Sequence, residues 1–159
     1  MEEQIKQQRA EAVYKVLCEM LDRHEVHYEK CEEDLLVKFG MAGDDLPMQF
    51  LMLVDKERSL LRLLSPLSFA VQEDKRLDTA LAINALNNRF PEGNFDYDIA
   101  SGRICFRIAS CFEDCEIAST VPEYLLFLAS VVVDKYNDKF LMFSKGAISL
   151  EQLLSTETE

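Results

Sequence analysis

Between Leu35 and Leu64 the sequence alternates with a period of two, three times in succession. Leu35, Val37, Phe39 and Met41 fall on one side of a strand, and Leu36, Lys38 and Gly40 on the other. After the turn residues Gly43-Asp44-Asp45, Met48, Phe50, Met52 and Val54 share one side and Gln49, Leu51 and Leu53 the other. A polar turn, Asp55-Lys56-Glu57-Arg58, leads into a third run from Leu60 to Leu64, which Pro66 is expected to end. Successive side chains of a strand point to opposite faces, so residues 35–64 read as an antiparallel meander with one face in a core. The other face is apolar too, because it carries Leu36, Leu51, Leu53, Leu60 and Leu64. A sheet wetted on one side has no need of these leucines. Either another part of the chain covers them, or they form a surface that meets a second polypeptide.

The flanks read mainly as helices. Residues 2–23 place Ile5, Val13, Val16, Leu17, Met20 and Leu21 at helical spacing, with Glu2/Lys6 and Glu11/Lys15 as i, i+4 pairs on the wet side. Residues 72–90 form a second helix with Leu77, Ala80, Leu81, Ile83 and Leu86 as its apolar content and Glu73 and Asp74 near its positive end. Asn84 and Asn87 interrupt it. Asparagine lowers helix propensity, and the compensation expected is a side-chain amide bonded to neighbouring backbone, a structural duty rather than catalysis. Residues 94–112 read as a β-hairpin that turns through Asp98-Ile99-Ala100-Ser101-Gly102, with Arg103 and Arg107 set beside Asp96 and Asp98. Thr120-Val121-Pro122-Glu123 has capping-box spacing and opens a long helix over 121–143. Lys145-Gly146 stops it, and Ser149 to Gln152 caps a last short helix over 150–154, before a tail from Ser155 that should fray.

The order is therefore α-β-β-β-α-β-β-α in one α+β domain over residues 1–159, its antiparallel sheet built from the three-stranded meander and the hairpin. No repeat or linker divides it. On Asn84-Ala85-Leu86-Asn87 in the central helix, Asn94-Phe95-Asp96-Tyr97-Asp98 with Gly102-Arg103-Ile104-Cys105-Phe106-Arg107 in the hairpin, the meander, and the acidic, apolar final helix, the chain resembles the YbjN family of bacterial proteins. The fold of that family is similar to that of type III secretion chaperones. The resemblance covers most of the chain. It implies a small acidic protein that acts by binding, with homodimers in the chaperone branch and no chemistry; members are described as sensory transduction regulators.

Charge and composition narrow the function further. With 29 Asp and Glu against 17 Lys and Arg the net charge is −12, which repels polyphosphate and anionic lipid, so neither nucleic acid nor membrane is an expected partner. The excess is uneven. Residues 1–34 hold ten acids and five bases and residues 91–138 nine and three, whereas residues 35–90 hold seven of each. The meander and central helix are thus a neutral island on an acidic body. The first residues are charged and lack the apolar core of a secretory signal, and a cytoplasmic location is expected. The five cysteines, an odd number in a domain of this size, read as reduced thiols. Cys18, His24, His27 and Cys31 lack the paired spacing of a zinc site, and no metal or cofactor is expected.

No phosphate-cradling glycine loop, GxSxG nucleophile turn or HExxH pair occurs, so the chain is not expected to be an enzyme. The reading that follows is a protein-binding module, chaperone-like or regulatory, acting as a homodimer and holding a protein client. The alternative is a small-molecule sensor or enzyme with a pocket between the sheet and its helices.

Overall fold

Burial follows the alternation of the meander: Val37, Phe50, Met52, Leu61 and Leu63 lie in the core of the computed structural model, which describes residues 1–155. The remaining residues of the tail expected to fray, 156–159, lie outside the described residues. The chain runs α1 (Glu2–Arg23), β1 (Glu29–Cys31), β2 (Leu36–Met41), β3 (Met48–Asp55), β4 (Leu60–Ala70), α2 (Arg76–Asn87), β5 (Asn94–Asp98), β6 (Arg103–Cys111), α3 (Thr120–Ser144) and α4 (Leu150–Leu154). The strands form one sheet in the order β1-β2-β3-β4-β6-β5, and each neighbouring pair is antiparallel. The fold is α+β, as the element order implied.

Helices α1 and α3 lie on the inner face of this sheet, against β3, β4 and β6. Between the layers, Phe95 meets Phe106 and Phe140 at ring-centroid distances of 5.2 Å each and Tyr136 at 6.1 Å, in tilted, edge-on contacts that suit aromatic quadrupoles. Helix α2 lies beside β5, and α4 packs on α2 and α3. The expected capping box of α4 forms: the Ser149 hydroxyl accepts from the Gln152 N–H at 3.1 Å, and the Gln152 side chain accepts from the Ser149 N–H at 2.8 Å.

The structure departs from the sequence reading in several places. Strand β1 was not expected, since three residues with no apolar alternation give no signal; it is held by pairing Glu29 with Lys38 and Cys31 with Leu36. Pro66 does not end the third strand. It lies beyond the last residue paired with β3 and beside a register shift with β6, positions where a missing N–H breaks little of the ladder. Helix α2 is shorter than 72–90. Gln72 is extended and gives its N–H to the Ser144 hydroxyl at 3.0 Å, and a 3₁₀ turn over Glu73–Lys75 leads into the helix. Beyond Asn87 the chain tightens into i→i+3 bonds, as Pro91 disfavours helix at the residue before it. The capping box at Thr120 does not form; Ser119 precedes α3 without a side-chain cap, and Glu123 instead bonds the imidazole of His24 at the end of α1. Leu77 and Leu81, expected in the core, are 73% and 63% exposed, while Thr79, Ala82, Ile83 and Leu86 are buried.

Candidate protein-interaction surface

Residues directly paired across antiparallel strands share a face, so the register fixes what the outer side of the sheet presents. Leu36 pairs with Leu53, Leu53 with Arg62, and Arg62 with Ala109. One row further, Lys38 pairs with Leu51, Leu51 with Leu64, and Leu64 with Arg107. Leu60 stands between Asp55 and Cys111. The five leucines of the meander are thereby brought together on one face, and each is half-buried. Their neighbours on that face, Lys38, Gly40, Gln49, Pro66, Arg107 and Ala109, are exposed, and the helices that build the core lie on the opposite side. Among the described residues, the helices packed on the sheet, α1 and α3, lie across it from these leucines.

Charges of both signs frame the leucines. The Arg107 guanidinium donates twice to Asp96, at 2.7 and 3.2 Å, which realises the expected cross-strand pair and raises the arginine's pKa. Asp55 takes the Arg58 N–H at 3.1 Å and its guanidinium at 3.0 Å, with Arg62 at 3.8 Å. Burial pushes the Asp55 carboxyl up, but these donors outweigh it and hold it below its ordinary 3.8. A carboxylate with a depressed folded pKa adds stability that is complete above its unfolded value and is lost as pH falls through the folded one. Asp55→Asn is therefore expected to lower the urea midpoint at pH 7, with the deficit closing below about pH 4. A deficit of the same size at pH 3 would contradict this.

The asparagines part company. Asn84 is exposed on α2. Asn87 takes the Phe95 N–H at 2.8 Å and donates to the Phe95 carbonyl at 3.0 Å, so its amide serves the outer edge of β5 in place of a further strand rather than bonding helix backbone nearby. Gly102 closes the β5–β6 turn at φ +75°, its N–H on the Asp98 carbonyl at 2.7 Å and its carbonyl taking the Val71 N–H at 2.8 Å. Both residues hold the sheet in place rather than line its open face.

Sequence reading missed a second apolar surface. Tyr124, Phe127 and Val131 of α3 point outward, Phe127 with 65% of its surface exposed. The signal was the surplus of apolar residues between Val121 and Phe143, more than one buried stripe can use. Tyr124 and Phe127 border a groove of about 590 Å³ completed by Met20 of α1, His24 just past its end, Val26, and Met41 of β2, and Val131 follows one turn further along α3. Phe50, Phe95, Phe106, Tyr136 and Phe140 fill the interior between sheet and helices, and a cleft of about 400 Å³ remains at its rim between Ile108, Ala109 and Ser110 of β6 and Val121 and Tyr124 of α3. All five cysteines are free thiols, and burial pushes those of Cys18 and Cys105 up, away from the thiolate. Among the described residues no three His, Cys, Asp or Glu side chains gather as metal ligands, and no helix is long and apolar enough to cross a membrane.

No family model matches the chain, and no curated protein matches it. Among solved structures it is similar to a chain of the HopA1–SchA chaperone–effector complex, at 15% identity over 86% of this chain and 93% of that one, with a TM-score of 0.46. It is also similar to a chain of the ExsC–ExsE complex, at 16% identity over 84% of this chain and 91% of that one, with a TM-score of 0.49.

Proposed function

We propose that this chain is a non-enzymatic protein-binding module of the YbjN type, folded as one domain, that works as a homodimer joined through the leucine face of its sheet. The observation that carries the reading is the one-sided coverage of the sheet: α1 and α3 pack on one face, while Leu36, Leu51, Leu53, Leu60 and Leu64 gather half-buried on the other. Water around such a cluster is released when a second apolar surface meets it. A second copy is the occupant favoured by charge. Lys38, Arg62 and Arg107 stand on this face with Glu29, Asp55 and Asp96, so a two-fold partner can set each sign against the other. The regulatory or chaperone-like role is exercised by the surfaces that the dimer leaves open on each protomer.

Size-exclusion chromatography with light scattering tests this. The wild type should elute at twice its 18.3 kDa mass, and the double substitution Leu51→Asp, Leu53→Asp at the monomer mass with an unchanged circular dichroism spectrum. A monomeric wild type defeats the reading, and so does a double variant that unfolds, since that marks the leucines as ordinary core.

A further inference from the structure

We infer that the groove between the end of α1 and the exposed side of α3 is a docking site for a basic amphipathic helix of a client protein. The groove deepens the protein-binding reading by giving the client a chemistry, and it uses a surface separate from the leucine face. Tyr124, Phe127 and Val131 fall at i, i+3 and i+7, which stacks them along one side of α3 over about two turns, or about 10 Å. An exposed aromatic flanked by a second aromatic and a branched aliphatic is the composition of an anchor site. Met20, Val26, Met41 and the half of α3 facing them give the groove an apolar floor. Its wall is a pair of helices, the setting in which a third helix presents its own i, i+3, i+4 and i+7 residues.

Charge selects the occupant. Glu123 and Asp134 lie four residues before and seven after Phe127 on the same side of α3, and the Tyr124 hydroxyl donates to a further acid, Glu92, at 2.6 Å. Asp134 also takes the Asp44 N–H at 2.8 Å, which brings Asp44 and its neighbour Asp45, at the tip of the β2–β3 hairpin, up against this side of the helix. Among the described residues no lysine or arginine lines the groove, and the basic side chain on it is His24, which bonds Glu123. Around the strip Glu92, Glu123, Asp134, Asp44 and Asp45 outnumber one base, Lys135 four residues after Val131, so the surroundings are complementary to a helix with leucine-like residues on one side and lysines or arginines on the other, and they disfavour an acidic one.

The test uses the full chain and a fluorescein-labelled peptide built from Leu and Lys alone, its leucines at i, i+3, i+4 and i+7, followed by fluorescence anisotropy. The wild type should bind it saturably, and Phe127→Ala should weaken binding about tenfold, the usual loss at a truncated anchor, while Phe127→Leu retains it. Leu77→Ala, which removes an exposed leucine elsewhere, should change nothing, and the same peptide with Glu for Lys should bind at least about tenfold more weakly. Because Phe127 is largely exposed, its loss leaves the core intact. Unchanged binding by Phe127→Ala, equal binding of the Glu peptide, or no saturable binding by the wild type would each overturn the proposal. The Leu51→Asp, Leu53→Asp variant should bind peptide as the wild type does. Loss there, with Phe127→Ala unaffected, places the client on the sheet instead and overturns the groove.

Discussion

Replacing Gly102 with alanine is expected to cost about 2 to 5 kcal/mol of stability, read as a lower urea midpoint at unchanged slope. Two separate terms add. At φ +75° an L-residue sets its Cβ against its own carbonyl, at about 1 to 2 kcal/mol. The new Cβ would also stand 2.4 Å from the Val71 carbonyl oxygen and 3.0 Å from Arg76 Nε. Neither can retreat freely. The Val71 N–H is bonded to Gly102 itself, and Arg76 donates from Nε to the Val71 carbonyl at 3.2 Å and from Nη1 to the Ala100 carbonyl at 2.6 Å. Forcing a methyl group into such a place adds about 1 to 3 kcal/mol. Gly146 separates the two terms: its φ is +72°, yet among the described residues nothing lies within 4 Å of a Cβ built there. Gly146→Ala should therefore cost only the backbone term, about 1 to 2 kcal/mol. Equal losses at both glycines would mean that the hairpin does not pack against the end of β4 as described.

The second large effect is expected at Asn87, where alanine should cost about 2 to 4 kcal/mol. β5 is an outer strand, and residue 95 turns its N–H and carbonyl away from β6 toward α2. Asn87 is the side chain that satisfies both. Without it two backbone groups beside a buried phenylalanine lose their partners, at about 1 to 3 kcal/mol each, less whatever water restores. Asn87→Asp keeps the acceptor and loses the donor, and should fall between alanine and wild type. Asn84→Ala is the control: it is exposed, and alanine is the better helix former, so its effect should stay within about 0.5 kcal/mol. If both alanine variants behave alike, the amide bridge to β5 contributes nothing and the asparagines are equivalent surface residues. Hydrogen exchange at the Phe95 amide offers a second reading, since its protection should vanish in Asn87→Ala ahead of the rest of the sheet.

These two positions bear on function through the sheet. A leucine face presents a matching surface only if its strands keep their register, and the β5–β6 hairpin is fastened to the body by Asn87 at one end and by Gly102 and Arg76 at the other. Arg107 and Asp96, which frame the face, ride on that hairpin. Loss of either fastening is therefore expected to lower stability and, with it, the self-association proposed for the leucine face.

By itself the sequence determined the strands of the meander, the face each residue takes, and the helices at either end. Period two and period 3.6 are local properties, and they survive whatever the rest of the chain does. It also showed that five leucines on the outer side had no duty within the meander. Whether a helix roofs them was settled by the tertiary structure alone, because coverage depends on which face α1 and α3 choose, a matter of long-range packing. The same holds for β1, a strand only because β2 offers it an edge, and for Glu123, whose capping pattern is intact in sequence but whose carboxylate turns to His24, far along the chain. Phe127 belongs with them. In an apolar run every member reads as core, and only the finite width of the buried stripe, fixed once α3 lies on the sheet, turns one of its phenylalanines toward water.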